Sequence, residues 1–169
     1  MKQLQMTGNA KTCQPRPSPP ARCAFTHILR EFFVSTITSV KSLVAKAKSE
    51  TKALTPQQAF DQLEASTAIL IDIRDIRELQ REGRIHGAFH APRGMLEFWA
   101  DPKSPYYKDV FDQAGNRILF CASSWRSALA AKTLQDMGLT NIFDMEGGFN
   151  GWKSAGLPIE TTKPEEFST

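Results

Sequence analysis

Residues 117–127 read RILFCASSWRS, a segment that joins a predicted strand to a predicted helix. Arg117 is followed by the apolar residues Ile118, Leu119 and Phe120, and residues 117–120 are therefore predicted to form a β-strand. The residues after the polar segment favour a helix that runs through Met137 and is ended by Gly138. Cys121 is therefore predicted to lie where a strand passes into a helix. In an open α/β sheet, functional sites form outside the carboxyl ends of the strands, which is the position predicted for this cysteine.

Short apolar runs continue to alternate with helical segments on both sides of this stretch. Thr55, Pro56 and Gln58 supply a capping hydroxyl, a proline in the first turn and a capping-box partner, so they predict a helix that runs to about Ala65. Residues 68–73 are apolar except for Asp72, as expected for a strand buried on both faces of a parallel sheet. Further strands are predicted at 88–91 and 141–145, and further helices at 75–82, 94–101 and 149–155. This alternation predicts an α/β fold.

The polar segment after Phe120 has the chemistry of an activated nucleophile. A loop that leads from a strand into a helix turns backbone N–H groups toward its centre, and the helix adds the positive end of its dipole. This field favours the thiolate of Cys121, and Arg126 adds a fixed positive charge. The hydroxyls of Ser123, Ser124 and Ser127 are donors for a thiolate, a bound oxyanion or a terminal sulfur. A cysteine at a strand end is also a common small core residue, but its neighbours favour a chemical role here.

The chain resembles the rhodanese family over residues 54–160, because four separated segments match the family in order. These segments are DIRD at 72–75, GRIHGA at 83–88, the Cys-x4-Arg-Ser loop at 121–127 and EGGFNGW at 146–152. The resemblance implies one rhodanese-like domain, an open five-stranded parallel sheet with helices on both faces. It also implies a sulfurtransferase that carries a sulfane sulfur as a persulfide on Cys121, without a metal or an organic cofactor.

The resemblance also assigns roles in substrate binding. Thiosulfate or a persulfide would deliver the outer sulfur, and cyanide, a thiol or another protein would remove it. Arg126 is expected to bind an anionic donor and to steady the persulfide, and Trp125, where the family commonly has small residues, is expected to shield the persulfide or narrow the entrance. The expected substrate-binding residues are Ala122, Ser123, Ser124, Trp125, Arg126 and Ser127.

Two other interpretations of the cysteine loop are compatible with the sequence. Protein-tyrosine and cell-cycle phosphatases, and arsenate reductases, also use a cysteine at the start of a helix, but the phosphatase loops place five residues between the cysteine and the arginine, whereas Cys121 and Arg126 enclose four. A non-catalytic, regulatory rhodanese-like module would keep the fold without the activity. A metal site is not expected, because His86 and His90 lack further ligands nearby.

Composition restricts the partners of the protein. The formal net charge is +3, but residues 51–169 hold 13 basic and 16 acidic side chains, so the domain is not expected to bind nucleic acid. No run of 18 apolar residues occurs, so no membrane span is predicted. Three cysteines are too few for a disulfide framework, which favours a reducing compartment and a cytoplasmic location.

The ends of the chain are predicted to lie outside the domain. Residues 1–33 begin with a proline-rich, acid-free stretch and are predicted to be disordered, with an organellar leader as the alternative reading. An amphipathic helix is predicted at 34–50 and is expected to pack on the outside of the domain. The rhodanese-like domain is assigned to residues 51–162 and a tail to residues 163–169.

Overall fold

The computed structural model describes residues 37–161, and these residues contain one sheet of five parallel strands. The strands are β1 (Lys52–Leu54), β2 (Ala68–Asp72), β3 (Phe89–His90), β4 (Asn116–Phe120) and β5 (Ile142–Met145), and they pair in the order β1-β5-β4-β2-β3. The α-helices are α1 (Val40–Glu50), α2 (Pro56–Glu64), α3 (Ile76–Glu82), α4 (Leu96–Ala100), α5 (Trp125–Asp136) and α6 (Gly148–Ser154), and a 3₁₀ helix covers Asp109–Asp112. The predicted α/β fold is confirmed.

Helices cover both faces of the sheet, so each face has its own apolar core. On one face, Leu119 and Cys121 pack with residues of α4 and α5 such as Leu96 and Leu134. On the other face, the core is formed by strand residues together with residues of α2 and α6, among them Leu70, Ile118, Phe120, Phe149 and Trp152. Burial on both faces explains the apolar runs at residues 68–71 of β2 and 118–120 of β4.

The strand register brings three strand ends to one level. Asp72 at the end of β2 is opposite Phe120 at the end of β4, and Leu119 is opposite Asp144 in β5. The backbone N–H of Ile73 donates to the carbonyl of Phe120 at 3.0 Å, which continues the pairing one residue beyond β2. Cys121 therefore leaves the sheet between two neighbouring strand ends, at the edge where α/β folds form their sites.

The N-terminal helix is shorter than predicted. Residues 34–36 lie outside the described residues, residues 37–39 are not helical, and α1 begins at Val40 because the Ser39 hydroxyl caps it by accepting from the backbone N–H of Ser42. Val44 and Ala47 are buried, whereas Ile37, Val40 and Leu43 are exposed. Within the described part of this stripe, Val44 and Ala47 in the C-terminal half thus pack on the domain.

The remaining elements follow the sequence closely, with one omission. The capping box at Thr55 and Gln58 is present, and the predicted strands at 68–73, 88–91 and 141–145 shorten by one or two residues. Strand β1 was not predicted, because its three residues form no apolar run and two of them are exposed. Among residues 37–161, no helix has the length and apolar character needed to cross a bilayer. The predictions for residues 1–33 and 163–169 lie outside the described residues.

Candidate active site

Cys121 lies directly after β4 and at the base of a short loop that leads into α5. The residue is 1% exposed. Its carbonyl oxygen accepts from the backbone N–H of Phe149 at 2.8 Å, and the Ala122 carbonyl accepts from Asn150 at 3.0 Å. Gly148 permits this contact, because a Cβ there would lie 2.3 Å from the Cys121 carbonyl oxygen. The start of α6 therefore fixes the base of the loop.

Hydrogen-bond donors surround the sulfur of Cys121. The Ser127 hydroxyl donates to Sγ at 3.5 Å. Burial raises the pKa of the Cys121 thiol, but hydrogen bonds from Ser127, first from its hydroxyl and then from its backbone N–H, oppose this effect. The backbone N–H groups of Ser123 and Arg126 add to them, and the resulting pKa is lowered from its ordinary value. The sulfur is thus held in a site that favours the thiolate.

Arg126 is held by a carboxylate that the sequence had not indicated. Its Nη1 and Nη2 donate to the two carboxylate oxygens of Glu78 at 2.7 and 2.8 Å. The hydrogen bond from Arg126 lowers the pKa of Glu78 to about 2, and Glu78 in turn raises the pKa of Arg126. The Cys121 thiolate raises the pKa of Arg126 further, so the guanidinium faces both groups.

Glu78 also completes the capping box of α3 with Asp75, which places it at the carboxyl edge of the sheet. In the sequence it stands within a short charged helix, where nothing marks a partner 48 residues away. The only available signal was topological: α3 and α5 follow the neighbouring strands β2 and β4, so the two helices must start side by side. This places Glu78 in the first turn of α3 near Arg126 in the first turn of α5.

Ser124 does not play the part that was expected for its hydroxyl. Its Oγ donates to Oδ2 of Asp144 at 2.5 Å, and both residues are 1% exposed. The expectation that the Ser124 side chain contributes a donor to the bound sulfur is therefore wrong, because the hydroxyl is directed into the protein toward the end of β5. Asp144 was not singled out from the sequence.

The other loop residues differ in what they offer a substrate. Ser127 is buried against the sulfur, while Ser123 is exposed and contributes its backbone N–H. Trp125 is 44% exposed at the first position of α5, beside the loop. Ala122 is half-buried and is tied to α6 through its carbonyl. The structure thus brings the expected residues together, with backbone groups in the larger role.

Asp72 and Arg74 form a buried ion pair at the end of β2. Arg74 is fully buried, donates to Asp72 at 2.7 Å and to the Gly83 carbonyl at 2.9 Å, and stacks on the Phe149 ring at 3.8 Å. His90 bonds to the Arg74 carbonyl at 2.8 Å. These contacts fix the strand end next to the loop.

Arg84 and His86 lie away from the loop. Both pair with Glu160 near the C-terminal end of the described residues, and the backbones of Arg84 and Glu160 form an antiparallel bridge. These contacts tie residues 84–86 to the C-terminal end of the described residues.

Comparison with known proteins points to one family. The family model described as "Rhodanese-like domain" matches residues 55–155. Thiosulfate sulfurtransferase GlpE from Actinobacillus succinogenes is 32% identical over 108 residues, covering 64% of this chain and 89% of that protein.

Two solved structures are also similar. A protein of unknown function from Rhodopseudomonas palustris, described as a possible tyrosine phosphatase, is 48% identical with a TM-score of 0.70, and the match covers 74% of this chain and 97% of that one. The polysulfide-sulfur transferase homodimer from Wolinella succinogenes is 31% identical with a TM-score of 0.57, covering 83% of this chain and 98% of that one.

Proposed function

The chain belongs to the rhodanese-like domain family and is an enzyme of the sulfurtransferase class, and we propose that it moves a sulfane sulfur from thiosulfate or a persulfide to cyanide or a thiol through Cys121. The observation that carries this proposal is the environment of the Cys121 sulfur, which is buried and yet has a lowered pKa. A buried thiolate surrounded by N–H and O–H donors is an activated nucleophile. The same donors can stabilise the negatively charged outer sulfur of a persulfide.

The proposed reaction has two displacement steps. In the first, the Cys121 thiolate attacks the outer sulfur of thiosulfate, the S–S bond breaks, and sulfite leaves with the bonding electron pair. In the second, cyanide or a thiolate attacks the terminal sulfur of the persulfide, and the Cys121 thiolate leaves. The sulfur is carried covalently, so the proposed steps need neither a metal nor an organic cofactor.

The donors around Cys121 support the persulfide in this scheme. Hydrogen bonds from the backbone N–H groups of Ser127, Ser123 and Arg126 lower the pKa of the Cys121 thiol, so these groups are already in place around the sulfur. The Ser127 hydroxyl donates to the sulfur, and the Arg126 guanidinium also faces it. We propose that these groups also bind the terminal sulfur once it is transferred.

The choice of donor depends on the charge that Arg126 can offer. Glu78 takes up both terminal nitrogens of its guanidinium, which neutralises much of its field at the loop. Arg126 paired with Glu78 therefore attracts thiosulfate, which has two negative charges, less strongly than an unpaired arginine would. A persulfide donor, which carries at most one negative charge, fits the same site.

Thiocyanate formation tests the proposed function. Wild type should form thiocyanate from thiosulfate and cyanide, and Cys121→Ser should not, because a hydroxyl is a far poorer nucleophile. The test is repeated with a persulfide as donor and a dithiol as acceptor. If wild type forms neither thiocyanate nor hydrosulfide with these pairs, the proposed function is contradicted. The protein would then be explained as a non-catalytic, regulatory module with this fold.

A second candidate function, a cysteine-based phosphatase, is favoured by the description of the Rhodopseudomonas palustris relative. Against it stands the loop of this chain, in which Cys121 and Arg126 enclose four residues and the arginine is already bound to a carboxylate. With four enclosed residues, this loop is smaller than a phosphatase loop, and its centre suits a single sulfur atom better than a phosphate group. Hydrolysis of p-nitrophenyl phosphate by wild type and its absence in Cys121→Ser would reverse this ranking.

We also propose a cytoplasmic setting and small-molecule or protein thiols as acceptors. Thiols that release a persulfide by exchange are kept reduced in that compartment. The N-terminal residues, in which an organellar leader was the alternative reading, lie outside the described residues.

A further inference from the structure

Asp144 is a buried carboxylate that the proposed sulfur chemistry does not use. It is the third residue of β5 and lies at the level of Leu119, two residues before Cys121 in the neighbouring strand. The residue is 1% exposed, and its Oδ2 accepts the hydroxyl of Ser124 at 2.5 Å. A carboxylate is costly to enclose, so its retention at this place calls for a reason.

Ser124 has a backbone conformation that serine adopts rarely. Its φ is +65° and its ψ is 14°, in the left-handed region. For residues other than glycine and asparagine, this conformation costs energy and persists only where neighbouring groups hold it. The hydrogen bond to Asp144 stabilises this conformation, because it anchors the side chain of Ser124 in the protein interior.

Ser124 also occupies the position that precedes α5, where a serine normally caps the helix. A capping serine accepts hydrogen bonds from the second or third N–H of its helix, which here belong to Arg126 and Ser127. Ser124 makes no such bond, and its hydroxyl is directed to Asp144 instead. The same two N–H groups point to the sulfur of Cys121. The backbone N–H groups that a capping serine would bind thus interact with the Cys121 sulfur instead.

We infer that Asp144 is a positioning residue of the sulfur-carrying loop: by accepting the Ser124 hydroxyl, it holds the left-handed turn and keeps the first N–H groups of α5 available to Cys121. The inference deepens the proposed function, since those N–H groups stabilise the thiolate and the persulfide. It concerns the free thiol as well, so it can be tested without any sulfur donor.

The pH dependence of Cys121 alkylation tests this inference. The full chain is treated with iodoacetamide at a series of pH values, and the peptide that contains Cys121 is followed by mass spectrometry, which separates it from Cys13 and Cys23. In Asp144→Ala the midpoint should rise by about one pH unit, the equivalent of losing one hydrogen bond to the thiolate. In Asp144→Asn the amide oxygen still accepts the Ser124 hydroxyl, so the midpoint should rise by less than half as much.

The sign of the shift separates positioning from simple charge. A carboxylate that acted on Cys121 only through its charge would raise the thiol pKa, so both Asp144→Ala and Asp144→Asn would then lower the midpoint. A lowered midpoint would overturn the inference. Glu146→Gln is the matched control, because it removes an exposed carboxylate two residues away. Its midpoint should stay at the wild-type value, and a rise equal to that of Asp144→Ala would also overturn the inference.

Variants of Ser124 test the link itself. Ser124→Ala should shift the midpoint in the same direction as Asp144→Ala but by less, because Asp144 also has a hydrogen bond with Ser127. The double variant should shift no further than Asp144→Ala, because both changes break the hydrogen bond between Ser124 and Asp144. Ser124→Gly should shift less than Ser124→Ala, since glycine adopts the left-handed turn without being held. Additive shifts in the double variant would contradict the inference. Thermal unfolding confirms that each variant is folded, and Ser124→Ala tests the same link if Asp144→Ala is not.

Discussion

Arg74 and Arg126 both lie beside the cysteine loop and both bind a carboxylate, but they differ in how much solvent reaches them. The side chain of Arg74 is 0% exposed and is enclosed with Asp72, whereas the side chain of Arg126 is 42% exposed and pairs with Glu78. An enclosed pair is out of reach of any substrate and serves the fold. A pair that borders the loop and the solvent sets the charge that a donor meets.

The largest effect is expected from Arg74. Replacing it with Met leaves Asp72 buried without its partner, which should lower the free energy of unfolding by about 3–5 kcal/mol. Urea unfolding of wild type and variant measures this loss. The control is Arg77→Ala, which breaks the exposed pair with Asp75 and should leave stability unchanged within error. Equal losses in the two variants would remove the distinction between enclosed and exposed pairs.

Arg126→Ala should affect substrate use rather than the fold. Loss of a charge-assisted contact should lower kcat/KM for thiosulfate about tenfold, which corresponds to about 1.4 kcal/mol. The loss should be smaller with 2-mercaptoethanol persulfide, which carries at most one negative charge. Arg126→Lys keeps the charge and should lie between wild type and the alanine variant. Equal losses with both donors would contradict the proposed role of the arginine.

Glu78→Gln should change the acid dependence of stability. Because Arg126 depresses the pKa of Glu78 to about 2 from an ordinary value of 4.5, the ionised pair stabilises the folded state above pH 4.5, and this contribution is lost as the pH falls toward 2. The difference in unfolding free energy between wild type and Glu78→Gln should therefore shrink between these pH values. A difference that stays constant from pH 6 to pH 2.5 would show that the pair is not ionised as described.

The sequence was sufficient for the fold because its local signals agreed with one another. The capping box at Thr55, the continuous apolar run of β2 and the glycines that end helices each indicated the element that is present. The three-residue β1 left no such signal. It exists because β5 offers a paired edge, which is a tertiary cause. The start of α1 was placed too early because the apolar stripe continues beyond the cap at Ser39.

The site was only partly predictable. Cys121, Arg126 and Ser127 come together as expected, since they share one loop and one helix turn. Glu78 and Asp144 could not be assigned, because their partners lie 48 and 20 residues away and only the strand order brings them near. Asp144 also explains why the expectation for Ser124 was wrong. The local sequence shows a hydroxyl close to the cysteine, but it does not show the distant carboxylate to which that hydroxyl donates.

The most direct test of the central claim is the intact mass of the protein after brief treatment with thiosulfate. Wild type should gain the mass of one sulfur atom, Cys121→Ser should gain none, and cyanide should remove the added sulfur while thiocyanate appears in equal amount. An unchanged wild-type mass with both thiosulfate and a persulfide donor, or a gain that persists in Cys121→Ser, would contradict the claim that Cys121 carries the sulfur.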